Sequence, residues 1–316
     1  MTNMQREDSD LDWRFPDFNG LCDRNLDCRQ LAMNTVLKWK QEPQILPCFM
    51  DSFNGYHDGL VLARKESPLR MGWKIVKQPL EEVDRAYIQE TIGRHGYCIL
   101  FYNAYDMPFS KYYRVHKVTH WSLVTGSTAD HFRLLDHTGI KPYFTGMEGT
   151  VAWELFLSNW TEGGLAVLEK DRSDASIWPE VFEGLMKESV HEMIDREGLD
   201  NFSRYKDFVK DTPSVSIIAS LESLEFHYHH VRRLRELWKA SIMKKAIPER
   251  FIRGEWVEEL FQLCDVWSMT LGVVMKWKRR PDLDHKEKLI YYLNQVAHSE
   301  EKFIRFLSQA IGGERS

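Results

Sequence analysis

The stretch Gly163 to Ile194, GGLAVLEKDRSDASIWPEVFEGLMKESVHEMI, contains the change of pattern that decides the fold. Its first part is a short apolar run, Leu165-Ala166-Val167-Leu168, opened by two glycines and read as a strand. From Trp178 onward apolar residues recur three and four apart, the spacing of one helix face. The polar segment EKDRSDAS separates the two and marks a boundary near residue 170. Toward the N-terminus, YCILFYN from Tyr97, HWSLVTG from His120 and HFRLLDHTG from His131 repeat the strand pattern between Gly, Pro and Asn punctuation. Toward the C-terminus, SIIASLESLEFHYHHVRRLRELWKASIMKKA, EWVEELFQLCDVWSMTLGVVMKWK and HKEKLIYYLNQVAHSEEKFIRFLSQAI repeat the helix pattern. Turns are expected at Glu197-Gly198, Asp211-Thr212-Pro213, Pro248 and Pro281. Two helices belong to the first half: CRQLAMNTVLKWKQE from Cys28, with Leu31, Ala32, Val36 and Leu37 on one face, and PLEEVDRAYIQETIGRHG, opened by Pro79 and closed by Gly96. The expectation is an α+β domain over residues 1–170 followed by an all-α domain over 171–316.

Composition narrows the function. The 316 residues include 17 Phe, 12 Tyr and 11 Trp, ample material for two cores. The net charge is −5, and neither half carries the basic excess of a nucleic-acid binder. Five cysteines, at 22, 28, 48, 98 and 264, make no CxxC pair and leave one over, which points away from a disulfide framework or zinc ribbon and toward thiols in a reducing cytosol. The start, MTNMQREDSDLDW, is polar and acidic, unlike a secretory signal, and no apolar run reaches 18 residues, so a cytoplasmic, non-membrane protein is expected.

Cys28 is the most informative residue. Asp27, or Asn25 if the helix starts earlier, can cap the helix that follows and put the thiol in its first turn, where free N–H groups and the macrodipole favour a thiolate. The alternative is a packing cysteine. Cys98 in a strand, Cys48 in LPCFM and Cys264 in mid-helix read as core, and Cys22 lies in a loop. A second feature is the hairpin made by HWSLVTG and FRLLDHT. With the turn 126–130 centred near Thr128, His120 stands opposite Asp136, so the carboxylate can hold one imidazole nitrogen and leave the other for a thiol. A slip of one residue would separate them, and a plain surface His–Asp pair is the alternative.

Cysteine at a helix start, histidine opening a strand and acid closing the next strand form a Cys…His…Asp order that resembles the papain-like C39-type cysteine peptidases. The chain is more similar still to the butirosin-biosynthesis H-type acyltransferase family. The residues that carry the likeness are Asp27-Cys28-Arg29-Gln30-Leu31-Ala32, Asp106-Met107-Pro108-Phe109, His120-Trp121-Ser122-Leu123-Val124-Thr125-Gly126, Leu134-Leu135-Asp136, and GLDNFSRYKDFVKD from Gly198. The resemblance implies a papain-like domain with a helical second domain, acting in specialised metabolite biosynthesis such as antibiotic assembly. It implies an acyl or aminoacyl group taken by Cys28 from a phosphopantetheine thioester on an acyl or peptidyl carrier protein and passed to a small-molecule amine or alcohol. His120 would be the base and Asp136 its orienting acid, with no cofactor or metal of the enzyme's own. One position departs from the papain-like pattern: the glutamine usually found about six residues before the cysteine is replaced by Cys22, and Asn25 or Asn19 is left as the candidate oxyanion donor beside the Cys28 N–H. Rival readings are a cysteine peptidase or amidohydrolase on the same three residues, and a non-catalytic scaffold with an inert site.

Two other clusters have bland readings beside the functional ones. Glu222, Glu225 and His229 share a helix face within LESLEFHYHH, and with His298 and Glu301 could make a bundle metal site, although histidines on a charged helix are common. The runs Arg232-Arg233-Leu234-Arg235 and Lys276-Trp277-Lys278-Arg279-Arg280 read as solvated faces, or as a patch for an acidic partner. No P-loop and no GxGxxG is present, and Gly163-Gly164 is too short to cradle a phosphate.

Overall fold

Alternation of apolar residues along HWSLVTG and HFRLL produces the central hairpin of the molecule. In the computed structural model, which describes residues 26–171, 177–252 and 254–312, these segments are strands β5 (Thr119–Ser127) and β6 (His131–Leu135). They lie within a seven-stranded sheet with β3 (Trp73–Pro79), β4 (Cys98–Asn103), β7 (Phe144–Thr145), β8 (Glu148–Ala152) and β9 (Gly163–Lys170), in the order β3-β9-β4-β5-β6-β8-β7. The pairs from β9 through β4, β5, β6 and β8 to β7 are antiparallel. A separate two-stranded ribbon joins β1 (Tyr56–Asp58) to β2 (Val61–Ala63). The architecture is α+β, as expected.

The chain folds as two compact units. The first takes Cys28–Pro43 and Ile75–Glu169. Helix α1 (Cys28–Trp39) packs on β5 and buries Leu31, Ala32, Val36 and Leu37, the face expected from their spacing. Tyr102, Phe109, Val124, Phe132, Leu134, Val151 and Phe156 form the core beneath the sheet. After the short α2 (Ile45–Phe49), helix α3 (Arg85–His95) starts later than its sequence suggests. Pro79 ends β3, Leu80–Glu82 form a 3-10 turn, and Asp84 caps the helix by accepting the Tyr87 N–H at 2.7 Å. Gly96 closes it in the left-handed region at φ 80°.

The second unit takes Gln44–Lys74 and the residues from Lys170 on, together with Asp27. The boundary near 170 is therefore present, but the first unit is interrupted: Gln44–Lys74 belongs with the helices and not with the sheet. The physical reason is the β1–β2 ribbon, which packs on the later helices, and Trp238, whose Nε1 donates to the Asp51 carbonyl at 2.9 Å. After the short α4 (Trp153–Asn159) of the first unit, the helices are α5 (Trp178–Ile194), α6 (Gly198–Asp211), α7 (Ser214–Ala219), α8 (Leu221–Met243), α9 (Glu255–Arg279) and α10 (Lys286–Gly312). Their core is aromatic, with Trp238, Trp256, Trp267, Trp277, Tyr205 and Tyr228 fully buried. Among the described residues no helix is long and apolar enough to cross a membrane.

Candidate active site

The hairpin brings His120 and Asp136 together, in a register that differs from the symmetric one. Leu123 pairs with Leu135 and Val124 with Leu134, but Gly126 pairs with Arg133, so Thr125 is an extra residue in a β-bulge. Had the Gly126–Arg133 pairing continued without it, His120 would align with Gly139 and lie on the opposite face from Asp136. With the bulge, the ladder ends at Leu123 and Leu135, and the same register carried one residue further sets Ser122 level with Asp136, whose Oδ2 its hydroxyl reaches, on the face that holds His120. The expectation that His120 stands directly opposite Asp136 is corrected to a diagonal pair two residues apart. Because side chains alternate with period two, an offset of two preserves the face.

Asp136 is the hub. Its Oδ2 accepts from His120 Nε2 at 2.8 Å, from Tyr102 Oη at 3.0 Å and from Ser122 Oγ. Its Oδ1 accepts from the Thr138 N–H at 2.5 Å and Thr138 Oγ1 at 2.7 Å. Tyr102 is placed by the next strand, where it pairs directly with His120 across β4 and β5. Asp136 and His120 are both buried. Burial opposes ionisation of the carboxyl, yet His120 and the surrounding donors hold Asp136 far below the usual carboxylate range. Burial likewise pulls His120 down, but the charges of Asp136 and Cys28 outweigh it and raise the imidazole to about 10. Burial, and then the Asp136 charge, push the Tyr102 phenol well up, so it stays a neutral donor.

Cys28 sits at the first residue of α1, half-buried, and its charge is near enough to the His120 ring to help raise it. With Nε2 held by Asp136, Nδ1 is the nitrogen left for the thiol. The other described cysteines are buried: Cys48 donates to the Gln44 carbonyl at 3.1 Å, and burial pushes the Cys98 and Cys264 thiols far up. Asp27, expected as a helix cap, has its Oδ2 bound by Arg64 at 3.0 Å. Asn25, Asn19 and Cys22 lie outside the described residues.

A comparison with protein-family models finds none that matches the chain, and a comparison with curated protein sequences likewise finds no match. The arrangement is therefore read on its own chemistry: a thiol, an imidazole and a carboxylate in sequence, as acyl transfer through a cysteine requires.

His120, Asp136 and the half-buried His137 also bring ligand-type atoms within 4.8 Å of one another. Both Asp136 oxygens and His120 Nε2 are already spent on hydrogen bonds, so a cation there would have to displace them. The helix-face cluster is occupied as well, since Lys278 Nζ binds Glu222 and, at 2.8 Å, Glu225. Sequence reasoning missed Tyr102, Ser122 and Thr138. Period two carried the signal for two of them, because Ser122 follows His120 by two residues and Thr138 follows Asp136 by two.

Proposed function

We propose that the protein catalyses acyl transfer through a thioester on Cys28, in a papain-like arrangement of helix α1 against the histidine-bearing strand β5. The observation that carries this reading is an imidazole held by a buried, ionised Asp136 at 2.8 Å and near enough to the half-buried Cys28 for that group's charge to raise it. In the first half-reaction the Cys28 sulfur attacks the carbonyl carbon of an acyl thioester. The oxyanion collapses, the bond to the departing sulfur breaks, and His120 protonates that thiolate. In the second, neutral His120 removes a proton from an amine or alcohol as it attacks the acyl-Cys28 carbonyl, and the Cys28 thiolate leaves. The Cys28 N–H at the start of α1 is a natural oxyanion donor. Asp136 keeps the imidazole in the tautomer that faces the thiol.

The donor proposed is an acyl or aminoacyl group on a phosphopantetheine thioester of a carrier protein, and the acceptor is a small-molecule amine or alcohol; both follow from the family resemblance. Free thiols at Cys28, Cys48, Cys98 and Cys264 suit a reducing, cytoplasmic setting. The test is intact mass after mixing with a panel of acyl-carrier thioesters, with and without amines. Transfer predicts an adduct on Cys28 that persists until an amine is added and is lost in Cys28→Ala. Rapid turnover by water alone would make the protein a hydrolase on the same residues, and absence of adduct and turnover across the panel would leave an inert scaffold.

A further inference from the structure

Away from the Cys28 centre, α9, α10 and His285 in the connection between them line an open pocket of about 130 Å³, with Met269, Gly272, Val273, Lys276, Lys288 and Tyr292. A single water needs only roughly 10 to 15 Å³ of such space, so a small molecule has room. Four of the lining side chains, Lys276, His285, Lys288 and Tyr292, are cationic or proton-donating. Neither Lys276 nor Lys288 makes an ion pair among the described residues, whereas Lys278, two residues along the same helix, is held by Glu222 and Glu225. His285 Nε2 is buried without a hydrogen-bond partner among the described residues, and so is Nε1 of Trp277, whose ring meets the His285 ring edge-on at 6.3 Å. Of the nearby carboxylates, Asp282 binds Arg280 and Asp284 accepts from Ser214 Oγ and the Lys286 N–H, while both also lie close enough to His285 to feel its charge.

We propose that the α9–α10 cavity formed by Lys276, His285 and Lys288 binds the phosphate group of a small phosphorylated molecule. Two ammonium groups and an imidazole are separate point donors. They suit a tetrahedral dianion that accepts from several directions, whereas a planar carboxylate is matched better by the fork of an arginine. Met269, Val273 and Tyr292 supply an apolar wall for whatever the phosphate is attached to. Gly272 keeps that space open. A Cβ built there meets nothing within 4 Å, so packing does not demand the glycine, although glycine is a costly choice inside a helix. This site is independent of the reaction proposed for Cys28.

The experiment is titration of the full chain with inorganic phosphate and with phenyl phosphate, followed by calorimetry or phosphorus NMR, alongside thermal unfolding. Saturable binding is expected in the wild type. Lys276→Ala and Lys288→Ala should each weaken it by roughly tenfold, in line with loss of one charge-assisted hydrogen bond. Gly272→Leu should abolish it, and Lys278→Ala should leave it unchanged. All four positions are exposed, so unfolding temperatures should stay close to wild type. Tighter binding of phenyl phosphate would identify a phosphomonoester as the occupant, and equal binding would identify free phosphate. No saturation below roughly 10 mM, or equal losses in the Lys276, Lys288 and Lys278 variants, would overturn the proposal.

Discussion

Each unit of the molecule buries charge beside a histidine, and the two histidines titrate in opposite directions. In the sheet unit His120 meets a carboxylate and is raised to about 10. In the helical unit burial, and then the Arg64 guanidinium, push His230 well below its ordinary value, while its carbonyl accepts from Arg64 Nε at 3.3 Å. Arg64 itself is buried between Asp51 at 2.5 Å and Asp27 at 3.0 Å. A second helical pair, Arg235 with Glu300 at 2.8 Å, is also buried, and Arg235 Nη2 and Glu300 Oε2 have no partner among the described residues. Buried charge alone therefore does not mark an active site. Around Asp136 the proton can move to a group that reaches a nucleophile; around Arg64 and Arg235 it cannot, because a guanidinium does not release it.

That contrast predicts different consequences of breaking each cluster. Asp136→Asn should reduce acyl-Cys28 formation by roughly 10³- to 10⁴-fold, because the amide no longer enforces the tautomer or stabilises imidazolium. Far-UV circular dichroism should be unchanged, and single-turnover acylation measures the loss. Arg64→Met should act first on folding. It strands Asp27 and Asp51 without their cation and should cost about 3 to 5 kcal/mol in denaturant unfolding, as for other buried pairs that lose one partner. A drop in acylation at Arg64→Met without loss of stability would erase the distinction between the clusters.

The pH dependence separates them further. His120 is raised in the folded state, so its contribution to stability is complete below the ordinary imidazole value of 6.5 and is lost as pH rises through about 10. Asp136 is depressed, so its contribution is present above the ordinary 3.8 and is lost as pH falls below that. The stability difference between wild type and His120→Gln should thus fall steadily from about pH 6.5 toward 10. The difference between wild type and Arg64→Met should stay flat over that range. The smallest effect is expected at Ser122→Ala, which removes one of five donors to Asp136 and should cost roughly 1 to 3 kcal/mol of stability with only a modest loss of acylation rate.

Much of this was legible in the sequence, wherever the determining contacts are local. The apolar faces of α1, α9 and α10 follow from spacing alone, and so does the strand-to-helix change near 170. His120 and Asp136 fall on one face because even offsets conserve it: the Gly126–Arg133 pairing lies three residues from the symmetric register, and the single extra residue Thr125 brings the offset back to two. What was not legible depends on contacts distant along the chain. Arg64 reaches Asp27 across 37 residues, an ion pair that no local pattern around Cys28 announces. The assignment of Gln44–Lys74 to the helical unit rests on packing against α6 and α8, helices far along the chain. Lys278 occupying Glu222 and Glu225 likewise depends on the pairing of two helices.

The central claim is that Cys28 is activated by His120, and alkylation kinetics with mass mapping test it most directly. Wild-type protein is treated with iodoacetamide near neutral pH and the five thiols are followed separately, in parallel with His120→Ala. Cys28 should be labelled first, because Cys48, Cys98 and Cys264 are buried, and His120→Ala should slow Cys28 by roughly tenfold or more through loss of thiolate. If another thiol reacts ahead of Cys28, or if His120→Ala leaves the Cys28 rate unchanged, the thiol–imidazole pair is not an active centre.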